Sequence, residues 1–402
     1  MVAFAGIPIE FLLFGAMLVG VALSHRRALL ASLLGLAAIL LVEGFLTEFP
    51  TGRGGSALLL HAQHEWVVIT NLLLLLTGFE LLSSQFEQSN ISDHLPNLLP
   101  DDWTGGVAVL GIVFVLSGFL DNIAAAVIGG VMVRHLYKGR VSVGFVAAIV
   151  ASANAGGAGS VIGDTTTTIM WLHGVSPLTL LPAYLGAAAA FVVIAPFAAR
   201  AQHRHQAIAA HDEPGHRLEW RRIWIVAFIL ASAVATNIVA NALTEGEETA
   251  PWLGLALWAA ILLTSRIARP DWSRLRHGAT GAIFLSALVA SASLMPLRAL
   301  PEPGWHTAFA LGLLSSVFDN IPLTALALRQ GGYDWALLAF AVGFGGSMAW
   351  FGSSAGVAVT NIYPEARSLL GWLKQGWFIP LAYLCGFVVM VVTLGWNPTL
   401  VH

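Results

Sequence analysis

Apolar residues run through this chain in blocks long enough to cross a lipid bilayer. A hydrocarbon core of roughly 30 Å takes about 17 to 25 residues of helix. Runs of that size predict spans near 7–24, 29–47, 61–83, 141–171, 177–199, 221–243, 251–267, 278–299, 335–361 and 376–396. Two further apolar segments do not read as single helices. Residues 106–134 would make a straight helix about 43 Å long, with Gly118, Asp121 and Asn122 in its middle and Gly129 and Gly130 beyond. Two short helices meeting at Asp121-Asn122, a re-entrant hairpin, account for the pattern better. Residues 306–329 have the same form, with Pro322 just after Asp319-Asn320, where the first turn of a helix accepts a proline. The expected fold class is an all-α polytopic membrane protein with about ten transmembrane helices and two hairpins.

The polar interruptions are written twice. GFLDNIAAAVIGG at 118–130 returns as SVFDNIPLTALAL at 316–328, and each is followed by a glycine-rich phrase, NAGGAGSVIGDTTTT from Asn154 and GFGGSMAWFGSSAG from Gly343. In these phrases Gly156, Gly157 and Gly163 line up with Gly345, Gly346 and Gly352. Each half then reads as three spans, one hairpin and two spans. Five crossings separate the hairpins, and an odd number makes them enter from opposite faces, so the repeats are expected to be inverted. The predicted organisation is a first repeat at 1–199, with hairpin 106–134 and broken helix 141–171. A linker at 200–220 follows, then a second repeat at 221–402, with hairpin 306–329 and broken helix 335–361.

Composition agrees with the pattern. With 57% hydrophobic and 10% charged residues, the chain is too apolar for a soluble domain of this length. The net charge of -3 says nothing about nucleic acid, because the basic residues are spread thinly over loops rather than gathered into a patch. The single cysteine, Cys385, excludes a disulfide framework and is expected to pack. The start of the chain lacks a basic n-region, so residues 7–24 read as a retained span rather than a signal peptide. Arginine and lysine collect in cytoplasmic loops. With hairpins, 16 of the 19 fall on one face, leaving Arg53, Arg298 and Arg329 on the other; with two crossing helices instead the division is 14 against 5. The linker 200–220 is therefore expected in the cytoplasm of a bacterial-type inner (plasma) membrane, with both termini and the Glu245, Glu247, Glu248 cluster outside.

Ionisable residues within hydrocarbon are costly unless paired, hydrated or functional, and glycine-interrupted segments at matching places in two halves point to a transporter's binding site. Glycine costs about 1 kcal/mol per helix position, so the spans are expected to unwind around Asn154, Gly156, Gly157, Gly163 and again around Gly345, Gly346, Gly352 and Ser353. Free carbonyls of such backbone are oxygen ligands for a hard cation. Asp164, Thr165 and the rest of the run to Thr168 add side-chain oxygens; Thr167 and Thr168 read equally well as helix packing.

These residues carry a resemblance. SGFLDNIAAAVIGGVM, ASANAGGAGSVIGDTTTTIMW, SSVFDNIPLTALAL and GFGGSMAWFGSSAGVAV resemble, from about residue 60 to 396, the signatures of the ion transporter superfamily of ArsB/NhaD and citrate transporter-like proteins. They are most similar to its NhaD-type sodium/proton antiporters. The resemblance implies inverted repeats with hairpins and broken helices, an elevator-like transport domain and a scaffold that often forms a homodimer. Carboxylate carriers of the superfamily have Ser-Asn-Thr at the hairpin tips; both tips here read Asp-Asn. By resemblance Asp121, Asn122, Asp319 and Asn320 take the tip role, and Asn154, Gly156, Gly157, Gly163, Asp164 and Thr165 the first broken-helix role.

Substrate follows from charge. Asp121, Asp164 and Asp319 are expected near the midplane with no lysine or arginine beside them, which repels an anion. Sodium or lithium at Asp121, Asn122, Asp164, Asp319 and Asn320 would neutralise the site, and protons would too, since burial and like-charge repulsion both penalise ionised carboxylates. Competition between the two suffices for antiport. The aspartates also suit N-caps of short helices, and capping and ligation can coexist. Alternatives left open are sodium-coupled citrate or dicarboxylate uptake and arsenite efflux. The expected partners are the bilayer and small inorganic cations; no cofactor beyond the transported sodium and protons, no nucleic acid and no enzymatic motif is indicated. Glu43 and Glu80 read as interfacial, His61, His64, His173 and His306 as solvated residues at the outer face, and Trp350, Trp372 and Trp377 as interface or packing residues.

Overall fold

The computed structural model describes residues 3–4, 7–23, 27–45, 55–90, 99–208, 218–244, 250–295 and 300–399. Outside them lie Arg26, Arg53, Arg217, Arg298, the Glu245–Glu248 cluster and 209–217 of the linker, and nothing is described of the side chains of His61 and His64. Apart from a two-stranded ladder that pairs Ala3–Phe4 with Ile7–Pro8, the described elements are helical. In chain order the first are α1 (Ile9–Leu23), α2 (Ala28–Phe45), α3 (Gly55–Glu87), α4 (Trp103–Ser117) and α5 (Asn122–Leu136). Next come α6 (Val143–Gly157), α7 (Thr165–Leu172), α8 (Pro177–Leu180), α9 (Ala183–His205), α10 (Trp220–Thr244) and α11 (Trp252–Thr264). The last are α12 (Leu275–Ser293), α13 (Trp305–Ser315), α14 (Asn320–Gln330), α15 (Trp335–Gly345), α16 (Ser354–Ile362), α17 (Leu369–Gln375) and α18 (Phe378–Leu394).

Helices α1–α3 pack with α10–α12, while α4–α9 pack with α13–α18. The two groups meet where α12 touches α14 and α3 touches α7. Within the second group α5 lies against α16 and α14 against α7, so each half reaches into the other's broken helix. Large apolar side chains remain exposed around the outside, among them Leu34, Val192, Trp224, Leu263 and Val392. Contiguous apolar surface of this kind needs a nonpolar surrounding, and the many apolar helices accord with a polytopic membrane protein. Cys385, expected to pack, is exposed on α18.

Continuous spans are fewer than the hydrophobic runs suggested. Among the described residues Ile69–Phe86 and Pro177–His205 are long and apolar enough to cross a membrane. Leu369–Gln375 with Phe378–Leu394, bent by 61°, qualifies as a pair. Seven shorter apolar helices among the described residues, Trp103–Ser117, Val143–Gly157 and Trp252–Thr264 among them, run to 10–17 residues. Chain breaks shorten them: the run 141–171 divides into α6 and α7, and 335–361 into α15, a 3-10 turn at Gly346–Met348 and α16. Helix α9 continues to His205, into the segment read as linker, and α10 starts at Trp220.

Polar contacts gather at the loop ends. Gln85 of α3 donates to the carbonyl of Ala268 at 2.9 Å and accepts from Arg222, which also pairs with Glu219 at 2.9 Å. The Arg200 guanidinium lies 4.2 Å from the centre of the Trp103 ring. Such contacts keep basic groups at the helix ends, where water can reach them.

Candidate functional site

Four chain breaks converge. The turn between α4 and α5 carries Asp121, with Asn122 as the first residue of α5; the turn between α13 and α14 carries Asp319, with Asn320 opening α14. The breaks within 158–164 and 346–353 lie opposite them. Asp319 caps α14, its carboxylate accepting from the backbone N–H of Ile321 at 3.2 Å. Asp164 caps α7 by accepting from Thr166 N–H at 3.0 Å, and Ser353 caps α16 through Gly356 N–H at 3.2 Å. The positive ends of these helices therefore point at the polar residues between them.

Why the chain breaks here is a matter of backbone contact. A Cβ on Gly156 would collide with the carbonyl of Phe114, and one on Gly345 with the carbonyl of Gly312. Phe114 precedes Asp121 by the same interval as Gly312 precedes Asp319. Gly163 likewise has no room for a Cβ against the carbonyl of Ser117, nor Gly352 against that of Ser316, whose oxygen would lie 2.6 Å away. A Cβ on Gly157 would stand 2.5 Å from the Gly163 carbonyl oxygen, and one on Gly346 2.7 Å from that of Gly352. The duplicated phrases thus make closely similar backbone contacts in both halves. This revises the expectation that Asn154 and the glycine pair lie in unwound chain. Asn154, Gly156 and Gly157 are helical within α6, Thr165 is the first residue of α7, and the break occupies the residues between. The glycines are there so that backbones can touch, and they do not themselves unwind the helix. Gly156→Ala and Gly345→Ala are each expected to reduce the yield of monodisperse protein in detergent severely, because a backbone carbonyl cannot rotate away; size-exclusion profiles check this.

Side chains bridge the breaks in three sets of hydrogen bonds. Asn122 donates to the Asn154 carboxamide oxygen at 3.1 Å; Asn154 in turn donates to Ser347 Oγ at 2.9 Å and Ser353 Oγ at 3.2 Å. Asn320 donates to Asp164 Oδ1 at 3.2 Å, and Ser354 to Asp319 Oδ2 at 3.2 Å. Asp164 is 1% exposed, and its Oδ2 has no hydrogen-bond partner among the described residues. Asp121 is half-buried beside Asn122, and its carboxylate takes no part in these bonds. The ion pairs Arg222–Glu219 and Arg274–Asp271 lie away from the site.

The remaining candidates sort themselves by partner. Thr167 donates to the carbonyls of Ser160 and Asp164, and Thr168 to those of Val161 and Asp164, so both hydroxyls close the break and the packing reading holds for them. Ser160 donates to the Gly118 carbonyl at 2.7 Å, tying the break to the Asp121 turn. Ser347 and Ser354 were missed in the sequence, although both stand inside the second glycine phrase. Trp372, read as interfacial or packing, is buried, and its indole N–H donates to the Ser347 carbonyl at 3.1 Å. His173 is bonded within its own helix end, its Nδ1 lying 2.9 Å from the Ile169 carbonyl, and His306 lies edge-on to Trp305. No group of three or more metal-ligating His, Cys, Asp or Glu side chains occurs among the described residues.

Known proteins bear on this arrangement. The family described as citrate transporter matches residues 16–345. Sodium/proton antiporter 1 of Arabidopsis thaliana is 27% identical over 391 residues, covering 86% of this chain and 66% of that protein. Sodium/proton antiporter 2 of the same plant is 28% identical over 325 residues, covering 70% of this chain and 72% of the relative. The sodium/proton antiporter NhaD of Alkalimonas amylolytica is 24% identical over 327 residues, covering 69% and 66%. The match therefore spans about two thirds of the length of the first relative. The family likeness read from the duplicated phrases is borne out.

Proposed function

Because this chain belongs to the citrate transporter family, we propose that it is a secondary transporter exchanging sodium, or lithium, for protons, and not an enzyme. The observation that carries the reading is the Asp164 carboxylate: buried, capping a short helix, joined through Asn320 to the Asp319 turn, and with one oxygen free of any described donor. Asp121, Asn122, Asp164, Asp319 and Asn320 form the cation and proton site, and the carbonyls around Gly156, Gly157, Gly163, Gly345, Gly346 and Gly352 complete its walls. Buried carboxylates without a basic partner favour a cation and disfavour an anion. The antiporter names of three relatives support the same substrate.

The family's description favours a second reading, sodium-coupled citrate or dicarboxylate uptake. One experiment separates them. In proteoliposomes with a trapped pH dye, sodium or lithium added outside is expected to move protons, whereas sodium-driven accumulation of labelled citrate or succinate would move the assignment to the carboxylate carriers.

The proposal extends to architecture. The two helix pairs are re-entrant hairpins of inverted repeats at 1–199 and 221–402, in a bacterial-type inner membrane with both termini outside, and the α1–α3 and α10–α12 group is the scaffold through which a homodimer forms. In a Cys385→Ser background, cysteines placed in 200–220 are expected to react only from the cytoplasmic side and those at 245–248 only from outside. Labelling from the same side would overturn the span count.

A further inference from the structure

The two halves share three glycines of the breaks, Gly156, Gly157 and Gly163 with Gly345, Gly346 and Gly352, and they differ at the polar positions that face across the site. Where the first glycine phrase begins with Asn154, the second begins with Gly343; where the first has Asp164 after its third glycine, the second has Ser353. The halves interlock, so each member of one exchange faces a member of the other. Asn154 donates to Ser353 Oγ at 3.2 Å. Gly343 lies beside Asp164, and a Cβ built on it would stand 2.9 Å from Oδ2, with only Asp164 atoms within 4 Å. The site therefore has two equivalent corners with opposite chemistry.

In the first corner the Asn154 carboxamide is fully used. Its two N–H donors go to Ser347 and Ser353 and its oxygen accepts from Asn122. Those donors occupy the hydroxyl lone pairs that a hard cation would need as oxygen ligands. In the second corner there is no side chain at position 343. Asp164 Oδ2 is a buried carboxylate oxygen that no described group meets at full hydrogen-bond geometry. An unmade bond on a buried charged oxygen is costly, and a bare cation beside Oδ2, on the side that Gly343 leaves open, would remove the cost.

We propose that the chain holds a single alkali-cation site, at the Asp164 Oδ2 corner, that the missing side chain of Gly343 makes the room for it, and that the Asn154 carboxamide is a permanent stand-in for a second ion in the other corner. The inference rests on the cation-carrier reading above and adds the number of ions and the residue that admits one.

Equilibrium binding of radiosodium to the purified protein in detergent tests it. The expected result is one ion per chain with a Hill coefficient of one. Two ions per chain, with or without cooperativity, would overturn the single-site inference while leaving the carrier reading intact. A protein that bound neither sodium nor lithium would overturn the carrier reading, and the inference with it. Gly343→Ala, whose methyl group would crowd Oδ2 but no other residue, is expected to bind sodium at least tenfold more weakly with an unchanged melting temperature in sodium-free buffer. Gly343→Asn is expected to abolish binding. Unaltered affinity in a folded Gly343→Ala protein would refute the role of this glycine, and if neither variant folds the wild-type stoichiometry decides.

Discussion

Asp164→Asn and Asp319→Asn are each expected to abolish sodium-dependent proton movement while leaving a folded protein in the membrane. The substitution separates charge from structure. Asparagine caps a helix about as well as aspartate, so the starts of α7 and α14 lose little. The N–H donors of Thr166 and Ile321, which the carboxylates accept at 3.0 and 3.2 Å, keep an oxygen partner. What disappears is the negative charge. Removing one member of a buried charge pair costs roughly 2–5 kcal/mol, and every 1.4 kcal/mol is about tenfold in affinity. The expected loss at a given sodium concentration is therefore roughly 30-fold to a few thousandfold. Alanine would be the wrong control, because it also removes a cap worth about 1 kcal/mol. Proton flux measured in everted vesicles or proteoliposomes, alongside expression level and size-exclusion profile, checks the outcome. Near wild-type exchange by both variants would remove the carboxylates from the mechanism. Asp121→Asn adds a distinction, since the Asp121 carboxylate lies outside the network that joins Asn122, Asn154, Ser347 and Ser353. Full loss there would place Asp121 on the ion's route despite its separation from the bonded cluster.

Much of this site could be read in the chain before any coordinates, and the reason is physical. Asp-Asn pairs inside hydrocarbon are too costly to be incidental, so their positions located both turns to within the helix boundaries: α5 begins at Asn122 and α14 at Asn320. The broken helices were legible for the same reason. What the glycines do was misread, because their average helix cost says nothing of the close backbone approach that keeps Gly156 helical against Phe114. The serines escaped notice for a different reason. A hydroxyl in an apolar helix usually bonds to the carbonyl one turn back, as Thr264 and Thr324 do here. Only spatial neighbours reveal that Ser347 and Ser354 do otherwise. The asymmetry between Asn154–Ser353 and Gly343–Asp164 was present in the aligned phrases, yet it acquires meaning only once the halves are seen to face each other across the breaks.

The dependence on pH carries the second large effect. If protons and sodium compete for the same carboxylates, apparent sodium affinity is expected to weaken as pH falls. The direction follows from linkage: the cation binds the deprotonated site, and acidification removes that form, so more sodium is needed to reclaim it. For each proton displaced the limit is about tenfold per pH unit. A midpoint titration of sodium-induced proton movement at several pH values reads the slope. Asp164→Asn, if a residual signal survives, is expected to flatten that slope, because the variant has one fewer group on which the proton and the ion compete. A variant that kept the full slope would show Asp164 to be a helix cap alone. Carboxylates supplied in millimolar excess are expected to change neither the slope nor the rate, since citrate or succinate brought against Asp164 and Asp319 would meet like charge with no described basic side chain paired to the site to offset it. Inhibition by either anion, or its sodium-driven uptake, would mean that the site accepts a substrate its charges should repel.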